Sequence, residues 1–181
     1  SNNINGTVTC VQNGFQDGGS SIISQNLGAG NTKRAIGTFW RLLVINSIIG
    51  AVGLVLMNVF LEPISWLFAN SAEGYNREFQ ELIMHVFRYE SLGGCIPLGI
   101  NSACMALLFG FGKTKLTLVS NFSRVFVFRI PILWALQNLT DIGSESVGIV
   151  MAASNTLTAM LSFTIAMIVL RQVKKESREK K

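Results

Sequence analysis

Long stretches without a charged residue are the dominant pattern of this chain. The stretch from Leu42 to Leu61 has 20 residues without a charge, and the stretch from Ser146 to Leu170 has 25. An α-helix rises about 1.5 Å per residue and the bilayer core is about 30 Å thick, so either stretch can span it. A soluble protein could bury such helices on all sides, but 181 residues are too few to surround several of them. The pattern therefore predicts membrane-spanning helices.

The full pattern predicts an all-α, polytopic transmembrane bundle of five helices. Their expected bounds are 4–27, 39–61, 83–111, 116–137 and 145–170, and a basic tail covers 171–181. The first helix is rich in polar residues and cannot face lipid alone, because unpaired polar groups in lipid each cost several kcal/mol. We therefore expect it to need neighbouring helices or a hydrated cavity, and we expect a native N-terminal part to precede this chain.

Basic residues alternate along the connecting segments. Three Lys or Arg lie within 33–41, two within 113–115 and six in the tail, whereas Arg77 alone lies between the second and third helices. Lys and Arg are retained on the cytoplasmic side of a membrane. The alternation predicts an N-terminus outside, a cytoplasmic tail and a multi-pass membrane protein with the lipid bilayer as a partner. We expect that membrane to be the plasma membrane.

Composition and motifs exclude several classes of function. Only 14% of the residues are charged, against about a quarter in a soluble domain. The three cysteines form no CxxC pair, so neither a disulfide framework nor a zinc site is indicated. HExxH and GxSxG motifs are absent, and Gly112-Lys113-Thr114 lacks the earlier glycine of a phosphate-binding loop. We expect no enzyme, no metal, no cofactor and no nucleic-acid partner.

Polar residues form stripes on two predicted helices, and small residues form ridges on two. The first helix carries Asn13, Asp17, Ser20 and Ser24 on one face, and the fifth carries Asn155, Thr158 and Ser162. Helix–helix hydrogen bonds and a solute pathway are both open interpretations of these stripes. Small residues recur every fourth position at Gly14 and Gly18, and at Ser102, Ala106 and Gly110. We interpret these ridges as helix-packing surfaces, with sliding surfaces as the alternative.

Charged residues inside predicted spans are the sharpest candidates for function. We single out Asp17, Glu90, Arg124 and Arg129, which lie away from the predicted helix ends. Such groups are costly in a membrane, are usually paired, and often mark ion or substrate pathways. Glu90 and Arg129 are expected at similar depth on consecutive antiparallel helices, which makes an ion pair plausible, whether functional or purely structural. Pro97 and Pro131 interrupt the third and fourth helices and are candidates for hinges or for static kinks.

Three segments resemble the multidrug and toxic compound extrusion (MATE) family. The segment from Ser24 to Asn31, followed by Lys33-Arg34-Ala35, is similar to the family string GQNLGAGN..RA at a helix end. The segments Gly110–Thr114 and Arg129–Pro131 resemble the turn after the tenth helix and part of the eleventh. The three matches occur in the family's order and spacing, so the resemblance extends over essentially the whole chain.

The resemblance implies a fold of twelve helices in two lobes. This chain would contain helices eight to twelve, so residues 1–170 would form part of the second lobe. It implies antiport of organic, often cationic compounds out of the cell against inward Na⁺ or H⁺. It also implies that an N-terminal lobe of the same transporter is a partner of this chain. Family members with a cation site in the second lobe use acids in helices seven and ten. The helix-ten position aligns near Leu98, which cannot ionise, so coupling through the other lobe is expected.

Two other functions remain open from the sequence. A lipid-linked saccharide flippase of the same superfamily would be expected to have a more basic cavity, which Arg124 and Arg129 would suit. A non-transporting membrane scaffold would not need Asp17 or the polar stripes.

Overall fold

The computed structural model describes the backbone of residues 2–71, 74–75, 77–139 and 145–179. Its side chains are described for residues 8–61, 63, 84, 91, 93–135, 138 and 148–175. The helices are α1 (Asn2–Gly28), α2 (Thr32–Ala69), α3 (Arg77–Gly110), α4 (Thr114–Phe122), α5 (Ile130–Leu139) and α6 (Glu145–Glu179). A π-helical segment, Ser123–Arg129, joins α4 to α5 without a break, and we call these three elements together the rod. The predicted all-α transmembrane bundle is confirmed.

Four described segments are long and apolar enough to cross a membrane. They are Thr32–Leu61, Gly93–Gly110, Thr114–Ala135 and Gly148–Lys175. Helix α1 is not among them, which agrees with its polar sequence. The rod corresponds to the fourth predicted helix, and α6 corresponds to the fifth.

Several helix bounds differ from those predicted. Helix α2 begins at Thr32 instead of residue 39, so Lys33 and Arg34 lie in its first turn and not in a loop. The long side chains of Lys and Arg favour helix, which explains the early start. Helix α6 continues through most of the basic tail to Glu179 for the same reason. Between α2 and α3, two short antiparallel strands, Asn70–Ser71 and Gly74–Tyr75, occupy part of the predicted polar loop.

The turn between α1 and α2 depends on a glycine in the left-handed conformation. Gly30 has a φ of 74°. The Asn31 N–H donates to the Asn26 carbonyl at 2.8 Å, and the Gly30 N–H donates to the Leu27 carbonyl at 2.9 Å. This pair of bonds is the Schellman motif, which satisfies the last carbonyls of a helix. The glycines in the family-like string therefore have a direct structural purpose.

The turn between α3 and α4 repeats that geometry. Gly112 has a φ of 68°. The Lys113 N–H donates to the Leu108 carbonyl at 2.8 Å, and the Gly112 N–H donates to the Phe109 carbonyl at 2.9 Å. Both turns bring the next helix back beside the previous one.

Helix α3 is the centre of the bundle and packs against α1, α2 and α6. Its residues 103–108 are all buried. One hydrophobic cluster joins Ile23 of α1, Ala35 of α2, Leu107 of α3 and Leu170 of α6. The ends of these helices that carry the basic residues therefore meet at one end of the bundle, which we call the basic end.

Small residues allow close helix contacts at several points around α3. A Cβ atom on Gly50 would lie 2.5 Å from the Cys95 carbonyl oxygen. A Cβ atom on Gly110 would lie 2.5 Å from Ile23 Cγ2, so the predicted ridge on α3 does pack against α1. On the other predicted ridge, no described atom lies within 4 Å of such positions on Gly14 or Gly18, so its role as a packing or sliding surface stays a prediction. Those two glycines instead line an open crevice between α1 and α2.

Candidate functional site

Helix α1 presents a buried face, a polar exposed face, and an apolar exposed face that carries Val11, Phe15 and Ile22. The buried face carries Gln12, Gly19 and Ile23 against α2 and α3. The polar stripe predicted from the sequence lies beside the buried face, about 110° around the helix. There Asn13, Asp17 and Ser24 are exposed and Ser20 is half-buried. We call these four residues the α1 stripe. The sequence correctly placed them on one face, and the structure shows that this face is not used for packing within the described bundle.

Asp17 is the only acidic residue of the α1 stripe. Its backbone carbonyl accepts hydrogen bonds from Ser20 Oγ at 2.9 Å and from Ser21 Oγ at 3.1 Å. Its carboxylate has no hydrogen-bond or ion-pair partner among the residues that the structure describes. The acid is therefore accessible to a cation from outside the helix.

The exposed face of α2 has the opposite character. Apart from Asn58, which bonds to the Leu54 carbonyl of its own helix, its exposed side chains between 44 and 60 are aliphatic or aromatic. The large ones are Val44, Ile45, Ile48, Val52, Val55, Leu56, Val59 and Phe60. Such a surface is suited to lipid tails, whereas the α1 stripe is not, because lipid offers no hydrogen bonds to its polar groups. The two exposed faces therefore require different surroundings.

The polar stripe of α6 lies inside the bundle. Ser162 donates to Asn101 Oδ1 of α3 at 2.6 Å and lies 2.8 Å from Ser120 Oγ of α4. Thr158 is buried and donates to the Ser154 carbonyl of its own helix at 2.7 Å. Helix–helix bonding thus explains Ser162. The pathway role predicted for Thr158 and its buried neighbour Asn155 stays a prediction.

A second buried polar cluster joins α1, α2 and α3. Gln12 Nε2 donates to the Cys95 carbonyl at 2.9 Å, and Ser102 Oγ donates to the Gln12 carbonyl at 2.8 Å. Asn46 is fully buried on the adjacent face of α2. Gln12 Oε1 and both amide atoms of Asn46 have no hydrogen-bond partner among the residues that the structure describes. Sequence reasoning missed both amides, although a polar residue on an otherwise apolar face was a usable signal.

The two arginines of the rod lie in its π-helical segment. The Nε atoms of Arg124 and Arg129 are both buried and have no hydrogen-bond partner within the described part of the chain. Both side chains are half-buried. The side chain of Glu90 lies outside the described residues, so the Glu90–Arg129 ion pair stays a prediction.

The two candidate hinges occur in different settings. Helix α3 continues through Pro97, which lines a cavity of about 300 Å³ between α2, α3 and α6. Pro131 follows the π-helical segment. A proline lacks an N–H and its ring collides with the carbonyl four residues earlier, here Val127, so a widened turn relieves the clash. The hinge role of either proline stays a prediction.

Comparison with known proteins settles the family. The sequence model of the MatE family matches residues 1–135. The chain belongs to the MatE family. A solved structure described as the inward-facing conformation of a multidrug resistance MATE family transporter of the MOP superfamily also matches this MatE chain. The TM-score is 0.83 at 15% sequence identity, over 94% of this chain and 39% of that one. No curated protein matched.

The two matches confirm the resemblance of the glycine-rich string to the MATE family. The TM-score shows that this chain shares the fold of the solved structure, and at 15% identity the match shows the fold alone. The MatE chain spans well under half of that structure's length. The two matches therefore show the family of this chain and its fold.

Proposed function

We propose that this protein exports organic cations in exchange for Na⁺ or H⁺. In this proposal the chain forms most of one lobe of the transporter, the α1 stripe faces the solute pathway, and a second lobe forms the opposite wall. The observation that carries the proposal is the exposed Asp17 carboxylate on a polar face of a helix that packs among membrane spans.

The physical argument begins with the cost of the α1 stripe in lipid. A carboxylate inside a membrane needs water, a partner or a cation. Asp17 lies eleven residues before the end of α1 at Gly28, which is about 16 Å along the axis and near the middle of a 30 Å core. Water in a central cavity would hydrate Asn13, Asp17 and Ser24 at this depth.

A single carboxylate also offers a simple basis for exchange. A cationic solute, Na⁺ or a proton can each neutralise Asp17, but two of them cannot fully share one negative charge. Binding of the coupling ion would therefore favour release of the solute. The exposed position of Asp17 makes it available to either ion.

A second candidate function is favoured by the two arginines. Arg124 and Arg129 place two positive charges within one span, and no acidic partner for them occurs among the described side chains. A lipid-linked saccharide carries phosphate, which guanidinium groups bind well. A flippase of the same superfamily would therefore depend on Arg124 and Arg129 more than on Asp17.

Export measured with Asp17→Asn in the full-length protein tests the main proposal. The amide keeps the shape of the side chain and removes its charge. We expect normal expression and at least tenfold slower efflux of an organic cation such as ethidium. The control Lys174→Gln also removes one charge, at an exposed site on the basic end, and should export at the wild-type rate. Wild-type export by Asp17→Asn across pH 6 to 8 would contradict the proposal.

The two functions are separated by a second pair of measurements. If the protein is a flippase, translocation of a lipid-linked saccharide in vesicles should persist in Asp17→Asn and fail in Arg124→Gln/Arg129→Gln. If it is a cation exporter, vesicles should show no such translocation. A protein with neither activity would be a scaffold.

A further inference from the structure

The π-helical segment brings Arg124 and Arg129 onto one side of the rod. On an α-helix of 3.6 residues per turn, residues five apart point about 140° away from each other. In a π-helix the backbone bonds join residues five apart, so residue i+5 lies close above residue i. The Ile130 N–H donates to the Val125 carbonyl in this way. The wide turn is therefore the local feature that places Arg124 and Arg129 on one side of the rod.

The aligned arginines face α6 and not the apolar outside of the rod. The outer side carries Phe122, Val125, Phe126, Val127 and Ile130, all exposed. Both arginines are half-buried, and the π-helical segment packs against α6. The Ser120–Ser162 contact fixes the antiparallel register of α4 and α6 and places Arg124 level with Thr158.

The charges of this arginine pair are not balanced by the described side chains. Each buried Nε is an unused donor, although a buried donor without a partner costs about 1–3 kcal/mol. The two groups also repel each other. Arg124 and Arg129 lie about 15 and 22 Å from the start of the rod at Thr114, which is well inside a membrane of 30 Å. An anion between them would relieve both costs.

We propose that Arg124 and Arg129 form a binding site for a phosphate group. Arginine presents a planar fork of donors that matches phosphate oxygens, and charge-assisted bonds of this kind are about twice as strong as neutral ones. A phosphate has enough oxygens to accept from both forks at once. Even if Glu90 pairs with one arginine, the other keeps its charge. The site depends only on the geometry of the rod and not on the proposed role of Asp17.

The phosphate could come from a lipid headgroup or from a phosphate-bearing solute, and thermal unfolding distinguishes these sources. The full-length protein in an uncharged detergent would be unfolded with sodium phosphate or with sodium chloride at equal ionic strength. In parallel it would be unfolded with phosphatidylglycerol or with diacylglycerol, which lacks the phosphate. We expect the unfolding temperature to rise by a few degrees with at least one phosphate source. A rise with inorganic phosphate indicates a solute site, and a rise with phosphatidylglycerol alone indicates a lipid site.

Variants test whether the rise in unfolding temperature comes from binding at Arg124 and Arg129. Arg124→Gln/Arg129→Gln should lose it, whereas Lys115→Gln, at an exposed position near the basic end, should keep it. If the double variant does not fold, Arg129→Lys replaces it, because lysine keeps the charge but lacks Nε and the planar fork. The unfolding temperature of Arg129→Lys should rise clearly less than that of the wild type. No rise in the wild type, a full rise in the double variant, or a full rise in Arg129→Lys would overturn the proposal.

Discussion

Ser162 donates its hydroxyl proton to Asn101 Oδ1 at 2.6 Å, and Ser120 lies 2.8 Å from the same Ser162 oxygen. Because Ser162 has only one hydroxyl proton, Ser120 must be the donor of the second bond. All three side chains are buried. This relay connects α3, α4 and α6 and holds the rod against the rest of the bundle.

Replacing Ser162 should therefore loosen the rod. Ser162→Ala removes two interhelical bonds and leaves Asn101 Oδ1 without its donor, at an expected cost of about 1–2 kcal/mol. Thr164→Ala is the matched control, because Thr164 is exposed and bonds only to the Met160 carbonyl of its own helix. Chemical unfolding in detergent measures the free energy of unfolding of both variants. Equal stability of the two variants would show that the relay contributes nothing.

Two adjacent glycines of α3 should respond in opposite ways to alanine. A Cβ atom on Gly93 would overlap the Cα and Cβ atoms of Ala152 in α6, whereas no atom of the described residues lies within 4 Å of one on Gly94. Gly93→Ala should cost about 1–3 kcal/mol because α3 and α6 must move apart. Gly94→Ala should be neutral or slightly stabilising, since alanine favours helix over glycine. The unfolding temperatures of the two proteins should differ clearly, and matching values would contradict the α3–α6 contact.

The turn glycine of the family-like string should be sensitive to any side chain. Gly30→Ala forces an L-residue into the left-handed region and should cost about 1–2 kcal/mol. Gly28→Ala, two residues earlier in α1 and with open space around it, should cost little or nothing. Thermal unfolding of both variants tests the Schellman turn. A larger loss for Gly28→Ala would be inconsistent with it.

The sequence predicted the membrane-spanning helices well and the ends of the helices less well. The apolar stretches identified the spans, because a soluble domain of this size rarely contains so long a run without a charge. Bounds were less accurate at Thr32 and at Glu179, where charged residues suggested loops. Lys and Arg are compatible with helix wherever their ends can reach water, so charge alone does not mark the end of a helix.

The sequence predicted part of the candidate site, because helical periodicity groups residues on one face but does not show what covers that face. Helical periodicity grouped Asn13, Asp17 and Ser24, and the structure places all three on an exposed face. The same periodicity could not show that the α6 stripe is buried, since that depends on its neighbours. It also could not predict the π-helical turn that aligns Arg124 with Arg129, because periodicity assumes 3.6 residues per turn throughout.

The predicted orientation can be tested from the shared basic end. Lys115 and Lys174 are exposed near the start of α4 and the end of α6. Cysteines at these positions, in a protein without its native Cys10, should react with an impermeant thiol reagent only from the cytoplasmic side. Reaction of either cysteine from outside intact cells would contradict the predicted topology. Cys95 and Cys104 are buried and should contribute little background.

The most direct test of the proposed pathway is whether water reaches the α1 stripe inside the membrane. Contacts of Gly19 with Leu42 and of Gly53 with Val8 fix the register of α1 and α2 and place Val44 level with Asp17. Val44 is 54% exposed on the apolar face of α2. We would place single cysteines at 17 and 44 in the full-length protein without Cys10 and measure labelling by a small water-soluble thiol reagent. A solute pathway along α1 predicts rapid labelling at position 17 and almost none at position 44. Equally slow labelling at both positions would show that the α1 stripe does not face water, and would contradict the proposed pathway.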